Sequence, residues 1–185
     1  MMDNNIKKRL LKRAIELKAL EYGEFTLASG MKSNFYFDGR LLSLDPESSS
    51  IISDWVLGKL MELQVNYLGG PAVAAVPIIG STVYNAFIKG YSLSGFFIRS
   101  ERKDHGLQKK IEGKLPKNSS VVIIDDTMST GGSLIDSMNA VKDNNCEILQ
   151  VLTVLDRKLG GSEKLLSLGY NYSTILEVNS SGEII

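Results

Sequence analysis

Cysteine is nearly absent from this sequence. It occurs once in 185 residues, as Cys146. A single cysteine excludes an internal disulfide and any metal site built from several cysteines. It fits a reducing compartment, so we expect a cytoplasmic location.

Long hydrophobic runs and blocks of one charge are also missing. The longest apolar stretch, residues 71–79, contains two prolines and is far shorter than the roughly 20 residues of a membrane helix. The amino terminus has no apolar core of the kind that signal peptides carry. Basic and acidic residues both number 21, with no dense basic block. We therefore expect no membrane and no nucleic acid as a partner.

No repeat or linker-like change of composition divides the chain, so residues 1–185 are predicted to form a single domain. Apolar residues at helical spacing predict a first helix, capped near Asn4 and at Gly23. Short strands are predicted around residues 25–27 and 34–37. Together, residues 1–44 are expected to form a helix and a hairpin hood over the sheet of residues 45–185.

Strand and helix patterns alternate through the rest of the chain. Asp45, Pro46 and Glu47 predict the start of a helix that runs to about Leu63, with Trp55 in the core. Strands are predicted near residues 65–68, 96–99, 121–124, 148–155 and 173–178, and helices near 78–89, 133–143 and 162–168. A Gly-Gly-Pro loop is expected after the first of these strands. This alternation predicts an α/β fold, a central parallel sheet flanked by helices.

Residues 121–133, which read VVIIDDTMSTGGS, combine several features at one point. A buried strand ends at two carboxylates, and ligands of open α/β sheets bind at that end. Hydroxyl residues and glycines then lead into a helix near Ser133, so the N–H groups of residues 127–131 are suited to a phosphate. Asp125 and Asp126 suit sugar hydroxyls or waters around Mg²⁺. We expect a ribose 5-phosphate here; the alternative is an acidic strand end before an ordinary helix cap.

Residues 99–106, which read RSERKDHG, form a second polar segment. It belongs to a connection of the length that often serves as a lid. A mobile cationic loop suits a departing pyrophosphate, because it places positive charge where negative charge develops. The alternative is a solvated loop in which Lys103 and His105 point into water.

The run at 121–133 resembles the phosphoribosyl pyrophosphate (PRPP) signature of type I phosphoribosyltransferases. Three other segments resemble the orotate phosphoribosyltransferases within that family. They are residues 25–38, with FTLASG and SNFYFD; the segment at 99–106; and residues 155–161, LDRKLGG. The four matches are colinear and span residues 20–178. The resemblance implies the type I phosphoribosyltransferase fold and the reaction of orotate with PRPP to give orotidine 5′-phosphate and pyrophosphate.

The resemblance also implies residue roles. Catalysis is expected from Lys103, His105, Asp125 and Asp126. PRPP is expected to contact Arg99, Arg102, Lys103, His105, Asp125, Asp126, Thr127, Met128, Ser129, Thr130, Gly131, Gly132 and Ser133. Orotate is expected to contact Ser29, Gly30, Tyr36, Phe37, Thr130 and Arg157.

Arg157 follows a predicted strand, where its planar guanidinium suits the bidentate binding of a flat acid. The alternative for Arg157 is a surface ion pair with Asp156. Mg²⁺ is the implied cofactor, held through PRPP and water near the acidic pair, without a direct protein ligand. The family further implies a homodimer, with the lid of one subunit closing on the site of the other.

Three positions depart from the family pattern. Ala28 and Ala74 stand where some members have lysine, and Ser100 stands where a lysine usually follows the loop arginine. Side chains two apart in an extended chain share a face, so Arg102 is predicted to replace the missing cation at position 100. Two other functions remain open: a phosphoribosyltransferase for another base, and a PRPP-binding regulator.

Overall fold

The computed structural model describes residues 2–26, 30, 32–99 and 110–185. The described helices are α1 (Met2–Glu16), α2 (Gly39–Ser43), α3 (Pro46–Leu63), α4 (Ala75–Ile88), α5 (Gly132–Asp143) and α6 (Gly161–Ser167). The described strands are β1 (Leu20–Thr26), β2 (Lys32–Phe37), β3 (Tyr67–Pro71), β4 (Ser94–Ile98), β5 (Ile111–Gly113), β6 (Ser120–Met128), β7 (Glu147–Asp156) and β8 (Tyr172–Glu177).

Six of these strands form the central sheet, in the order β5-β4-β3-β6-β7-β8. All of its pairings are parallel except that between β4 and β5. Strands β1 and β2 form a separate antiparallel pair. The predicted α/β fold and the small amino-terminal hood are therefore confirmed.

Strand β6 shows why the sheet is covered on both faces. Its side chains alternate between two apolar clusters: Val122 and Ile124 pack with α1, α3 and α4, whereas Val121 and Ile123 pack with α5 and α6. Period-two alternation with both sides apolar is the pattern of a central parallel strand. The same alternation sends the side chains of Asp125 and Asp126 to opposite faces at the end of the strand.

The start of α3 agrees with the prediction at the level of single atoms. The Asp45 carboxylate accepts the Ser48 N–H at 3.0 Å as the helix cap. It also receives a two-pronged contact from Arg13 of α1, Nε to Oδ2 at 3.0 Å and Nη2 to Oδ1 at 2.6 Å. Trp55 is buried, as expected. This junction fastens the first helix to the sheet-covering layer.

Other boundaries predicted from the sequence were wrong. The first helix ends at Glu16 instead of near Gly23, because Lys18 adopts a positive φ of 55° and β1 begins at Leu20. Neither α2 nor the edge strand β5 was predicted. Helix α4 also begins at Ala75, three residues before the predicted start.

The Gly-Gly-Pro segment lies in β3 and not in the predicted loop. The two glycines are needed there for close approach. A Cβ at Gly69 would overlap the Phe96 ring, and one at Gly70 would overlap the Ile124 carbonyl oxygen. Tight packing between neighbouring strands therefore overrides the usual reading of glycine as a turn residue.

Within the described ranges, no helix is long and apolar enough to cross a membrane.

Candidate active site

The acidic pair lies at the carboxyl end of β6, in the middle of the sheet. Asp125 is only 6 % exposed, and its Oδ1 accepts the Asp126 N–H at 2.9 Å. The backbone is still in the strand here, since Asp125 pairs with Thr153 and Thr127 with Leu155 of β7. The sheet therefore fixes the backbone of both aspartates at the edge where ligands of such folds bind.

Both carboxyl groups carry a perturbed pKa. Burial raises the pKa of Asp125 well above its usual value of 3.8, and the neighbouring Asp126 charge adds to the effect. Burial also raises the pKa of Asp126. Two largely desolvated carboxylates on consecutive residues favour a ligand that donates hydrogen bonds or brings positive charge. Sugar hydroxyls and a hydrated cation both meet that requirement.

The turn that was predicted to bind a phosphate is shorter than expected. Thr127 and Met128 belong to β6, and the Met128 side chain is buried in the core. The expectation that these two residues lie in the loop is therefore wrong. The turn is made by Ser129, Thr130 and Gly131, with Gly131 in the left-handed region at φ 79°.

Helix α5 begins directly after this turn, at Gly132 and Ser133. Within the described residues, the N–H groups of Ser129, Thr130 and Gly131 donate to no backbone carbonyl. Free N–H groups ahead of a twelve-residue helix form a site suited to an anion.

Arg157 projects from the end of β7 toward the hood. Its Nη2 donates to the Phe37 carbonyl at 3.3 Å, and its guanidinium lies 5.1 Å from the centre of the Phe35 ring. Its Nη1 is buried without a hydrogen-bond partner among the described residues. Burial lowers the pKa of Arg157, while the Asp126 charge acts in the opposite direction. A buried cationic donor without a protein partner is a candidate for contact with a ligand.

The alternative of a surface ion pair between Arg157 and Asp156 is wrong. Asp156 is fully buried and contacts Lys158 instead, with Lys158 Nζ at 3.4 Å from its Oδ2 and the Lys158 N–H donating to its Oδ1 at 2.8 Å. Lys158 also pairs with Glu177 at 2.9 Å. Among the residues that the structure describes, Arg157 therefore has no ion pair with its sequence neighbour and feels mainly the charge of Asp126.

The hood forms the wall opposite the acidic pair. Phe35 and Phe37 are buried in the core, so Phe37 reaches the site through its carbonyl and not through its ring. Tyr36 is 40 % exposed and its ring lies 5.7 Å from that of Phe25. Gly30 lies exposed in the turn at φ 82°. Ser29 lies outside the described residues.

Sequence reasoning missed the segment that joins the hood to the sheet. Asp38 caps α2 by accepting the Arg40 N–H at 3.0 Å, and the Arg40 side chain forks onto the same carboxylate at 2.9 Å. This ion pair lowers the pKa of Asp38. Gly39, between them, lies against Asp126. The aspartate before a glycine was a usable cap signal, but the contact with residue 126 has no local signature.

The described ends of the cationic segment meet beside the same edge. The Arg99 N–H donates to the Lys110 carbonyl at 3.0 Å, and Arg99 Nη1 lies 3.6 Å from Glu112. A cavity of about 140 Å³ separates this stem from α5 and is lined in part by Ala72 and Ser133. Arg102, Lys103 and His105 fall outside the described residues, so their predicted roles remain predictions.

No group of three or more acidic, histidine or cysteine side chains in the described ranges is arranged to hold a metal ion. The acidic pair alone offers two carboxylates. Such a pair fits a Mg²⁺ ion that keeps several waters and takes its other ligands from a phosphorylated substrate.

Comparison with known proteins identifies a family. Residues 61–178 match the model of the phosphoribosyl transferase domain. The orotate phosphoribosyltransferase of Rhodopseudomonas palustris (strain TIE-1) is 34% identical over 183 residues, covering 96% of this chain and 97% of that protein.

Solved structures agree with the sequence comparison. A phosphoribosyltransferase from Corynebacterium diphtheriae superposes with a TM-score of 0.80 and 26% identity, covering 94% of this chain and 96% of that one. Mycobacterium tuberculosis orotate phosphoribosyltransferase in complex with PRPP superposes with a TM-score of 0.76 and 25% identity, covering 93% and 96%.

Proposed function

This chain belongs to the orotate phosphoribosyltransferase family, and we propose that it transfers the 5-phosphoribosyl group of PRPP to orotate. The products are orotidine 5′-phosphate and pyrophosphate, in the synthesis of pyrimidine nucleotides. The family resemblance inferred from the sequence is confirmed by the relatives and the domain match. The roles of individual residues, the metal and the assembly are proposals.

One observation carries the substrate assignment: the buried Nη1 of Arg157, without a partner among the described residues, lies near the hood and the acidic pair. A planar acid bound beside Arg157 satisfies this donor through a carboxylate or ring carbonyl. PRPP then occupies the loop of residues 129–133. This arrangement brings a flat base and the ribose to the same sheet edge.

The acidic pair has the role of holding the ribose. Ribosyl transfer develops positive charge at C1, and Asp125 and Asp126 stabilise that charge and accept hydrogen bonds from the sugar hydroxyls. Asp125 and Asp126 would hold water around a Mg²⁺ ion bound to PRPP, and that ion would supply positive charge to the pyrophosphate. The loop N–H groups anchor the 5-phosphate, so the reacting carbon is fixed between the acidic pair and the base.

The cationic segment completes the site in this proposal. Lys103 and His105 meet the departing pyrophosphate, with Arg99 at the described base of the segment. Arg102 replaces the lysine expected at position 100. Arg102→Ala is expected to weaken PRPP binding markedly, and Ser100→Lys added to that variant is expected to restore much of it. Unchanged PRPP affinity in Arg102→Ala refutes the replacement.

A homodimer is supported by an apolar face on α4. Tyr84, Phe87 and Ile88 are 68, 78 and 62% exposed. Beside them lies a groove of about 540 Å³ whose lining includes Gly80 and Val83. Exposed apolar patches mark interaction sites. Protruding side chains next to a groove on one face can pack against the same face of a second copy related by a two-fold axis.

Action of the lid across the dimer is testable by subunit mixing. Asp125→Asn and Lys103→Ala are each expected to be poorly active alone. In a mixed dimer, one site inherits neither change if the lid acts on the neighbouring subunit. Partial recovery of activity is therefore expected after exchange, and none after verified exchange contradicts a lid that acts in trans.

Two alternative functions are less consistent with the site. A phosphoribosyltransferase for a purine has no use for a buried guanidinium against the hood, which is the feature that favours an acidic pyrimidine. A PRPP-binding regulator should lack the lid cations, yet Lys103 and His105 are present in the sequence. The sequence also has no dense basic block of the kind that favours nucleic-acid binding.

The deciding experiment is a substrate panel. The protein is mixed with Mg²⁺, PRPP and, in parallel, orotate, uracil, adenine or hypoxanthine, and loss of orotate absorbance or gain of nucleotide is followed. Uracil is the matched control, since it lacks only the carboxylate. Asp125→Asn should be inactive and the exposed Asp143→Asn fully active. Turnover of a purine, or PRPP binding without turnover of any base, refutes the proposed function.

A further inference from the structure

The hood meets the acidic pair at Gly39. This residue is buried and begins α2. A Cβ added to it would lie 2.7 Å from both Cβ and Oδ2 of Asp126, whereas ordinary contacts begin at 3.4 Å. Its φ is not positive. Glycine is therefore required here by space and not by backbone conformation.

Asp126 cannot make room for a larger residue. The residues on either side of it, 125 and 127, are paired with β7 in the middle of the sheet. Rotation of the carboxylate moves Cγ and Oδ2 but leaves Cβ where it is. A methyl group at position 39 must therefore push α2, and the hood with it, away from the sheet.

A small displacement of the hood reaches Arg157. Opening the contact at Gly39 from 2.7 to 3.4 Å requires about 0.7 Å of movement. Phe37 lies two residues away, and its carbonyl accepts from Arg157 Nη2 at 3.3 Å. The cap between Asp38 and Arg40 makes this turn stiff, so the movement is passed to Phe37. A shift of this size lengthens the Arg157 contact beyond hydrogen-bonding distance.

We propose that Gly39 is a positioning residue: the absence of its side chain lets the hood rest on Asp126, which sets the distance between Arg157 and the hood. This inference rests on the proposed function, because the Arg157 donor that the hood positions is the one assigned to orotate. The turn of residues 129–131 belongs to the sheet layer and is not displaced with the hood. The strand residues on either side of Asp126, the one proposed PRPP contact that Gly39 touches, also stay paired with β7. The effect therefore falls mainly on the base and much less on PRPP.

Steady-state kinetics of Gly39→Ala test this role, with Gly58→Ala as the matched control. Gly58 lies exposed in α3, where a Cβ would meet no described atom within 4 Å. Gly39→Ala is expected to raise the Michaelis constant for orotate about tenfold and that for PRPP less than about twofold. Gly58→Ala should change neither. A purely structural defect lowers the active fraction and leaves both constants in place.

Thermal unfolding tests the contact without using activity. Gly39→Ala is expected to lower the melting temperature of the parent protein, but far less in an Asp126→Gly background, where the opposing Cβ is gone. Equal losses of melting temperature in the two backgrounds contradict a contact between position 39 and the Asp126 side chain. If the parent protein uses orotate and Gly39→Ala leaves the Michaelis constant for orotate unchanged, the positioning role is refuted and the proposed function is not. A parent that does not use orotate refutes the proposed function and, with it, this role.

Discussion

Arg157 offers the sharpest test of how this site selects its substrate. Its guanidinium donates to the Phe37 carbonyl through Nη2 and leaves Nη1 buried without a partner among the described residues. In the proposed complex the orotate carboxylate or a ring carbonyl fills that place. Arg157→Ala removes the partner and leaves the acid in a desolvated site, which costs roughly 2–5 kcal/mol.

This free energy corresponds to a rise in the Michaelis constant for orotate of about 30-fold to several thousandfold. The constant for PRPP, measured at saturating orotate, should change by less than about threefold, because PRPP contacts the turn after β6 and not Arg157. Initial rates from the fall of orotate absorbance give both constants. Equal changes in the two constants, or an orotate constant within twofold of the parent, contradict the assignment.

A second variant separates substrate binding from folding. Arg157→Met keeps an unbranched apolar stem against the Phe35 ring but removes the buried charge. Since an unpaired buried charge destabilises the protein, the melting temperature of Arg157→Met without ligand should equal or exceed that of the parent. Its orotate constant should nevertheless rise as in Arg157→Ala. A large loss of thermal stability in Arg157→Met would instead indicate a structural role.

Three further outcomes are expected. Lys103→Ala should lower turnover by about a hundredfold, as loss of one charge-stabilising donor does, with a smaller effect on PRPP binding; parental turnover contradicts the lid assignment. Asp125→Asn should raise the melting temperature at neutral pH. The pKa of Asp125 is raised in the folded protein, so its ionisation destabilises the fold as pH rises above 3.8. Equal melting temperatures of variant and parent at every pH from 4 to 8 contradict this. Asp45→Asn should lower the melting temperature at neutral pH, since Arg13 lowers the pKa of Asp45 and the pair stabilises the protein fully above pH 3.8. This deficit should close gradually as pH falls below 3.8 toward the lowered pKa, and a pH-independent deficit contradicts the ion pair.

Local patterns predicted most of the regular structure. The cap of Asp45, Pro46 and Glu47 and the β-branched run before Asp125 each depend on neighbouring residues, and both elements form as predicted. Errors arose where a neighbour in space overrides local preference. The Gly-Gly-Pro segment became a strand because β4 and β6 leave no room for side chains at Gly69 and Gly70.

The sequence by itself determined the α/β alternation, the acidic pair with its loop and the family, because these depend on consecutive residues or on short colinear motifs. Only the tertiary structure decided that Arg157 points at the Phe37 carbonyl, 120 residues away, rather than at its neighbour Asp156. It also decided that Gly39 rests on Asp126. Both contacts arise where the hood meets the sheet edge, and no local pattern encodes a distance between segments so far apart in the chain.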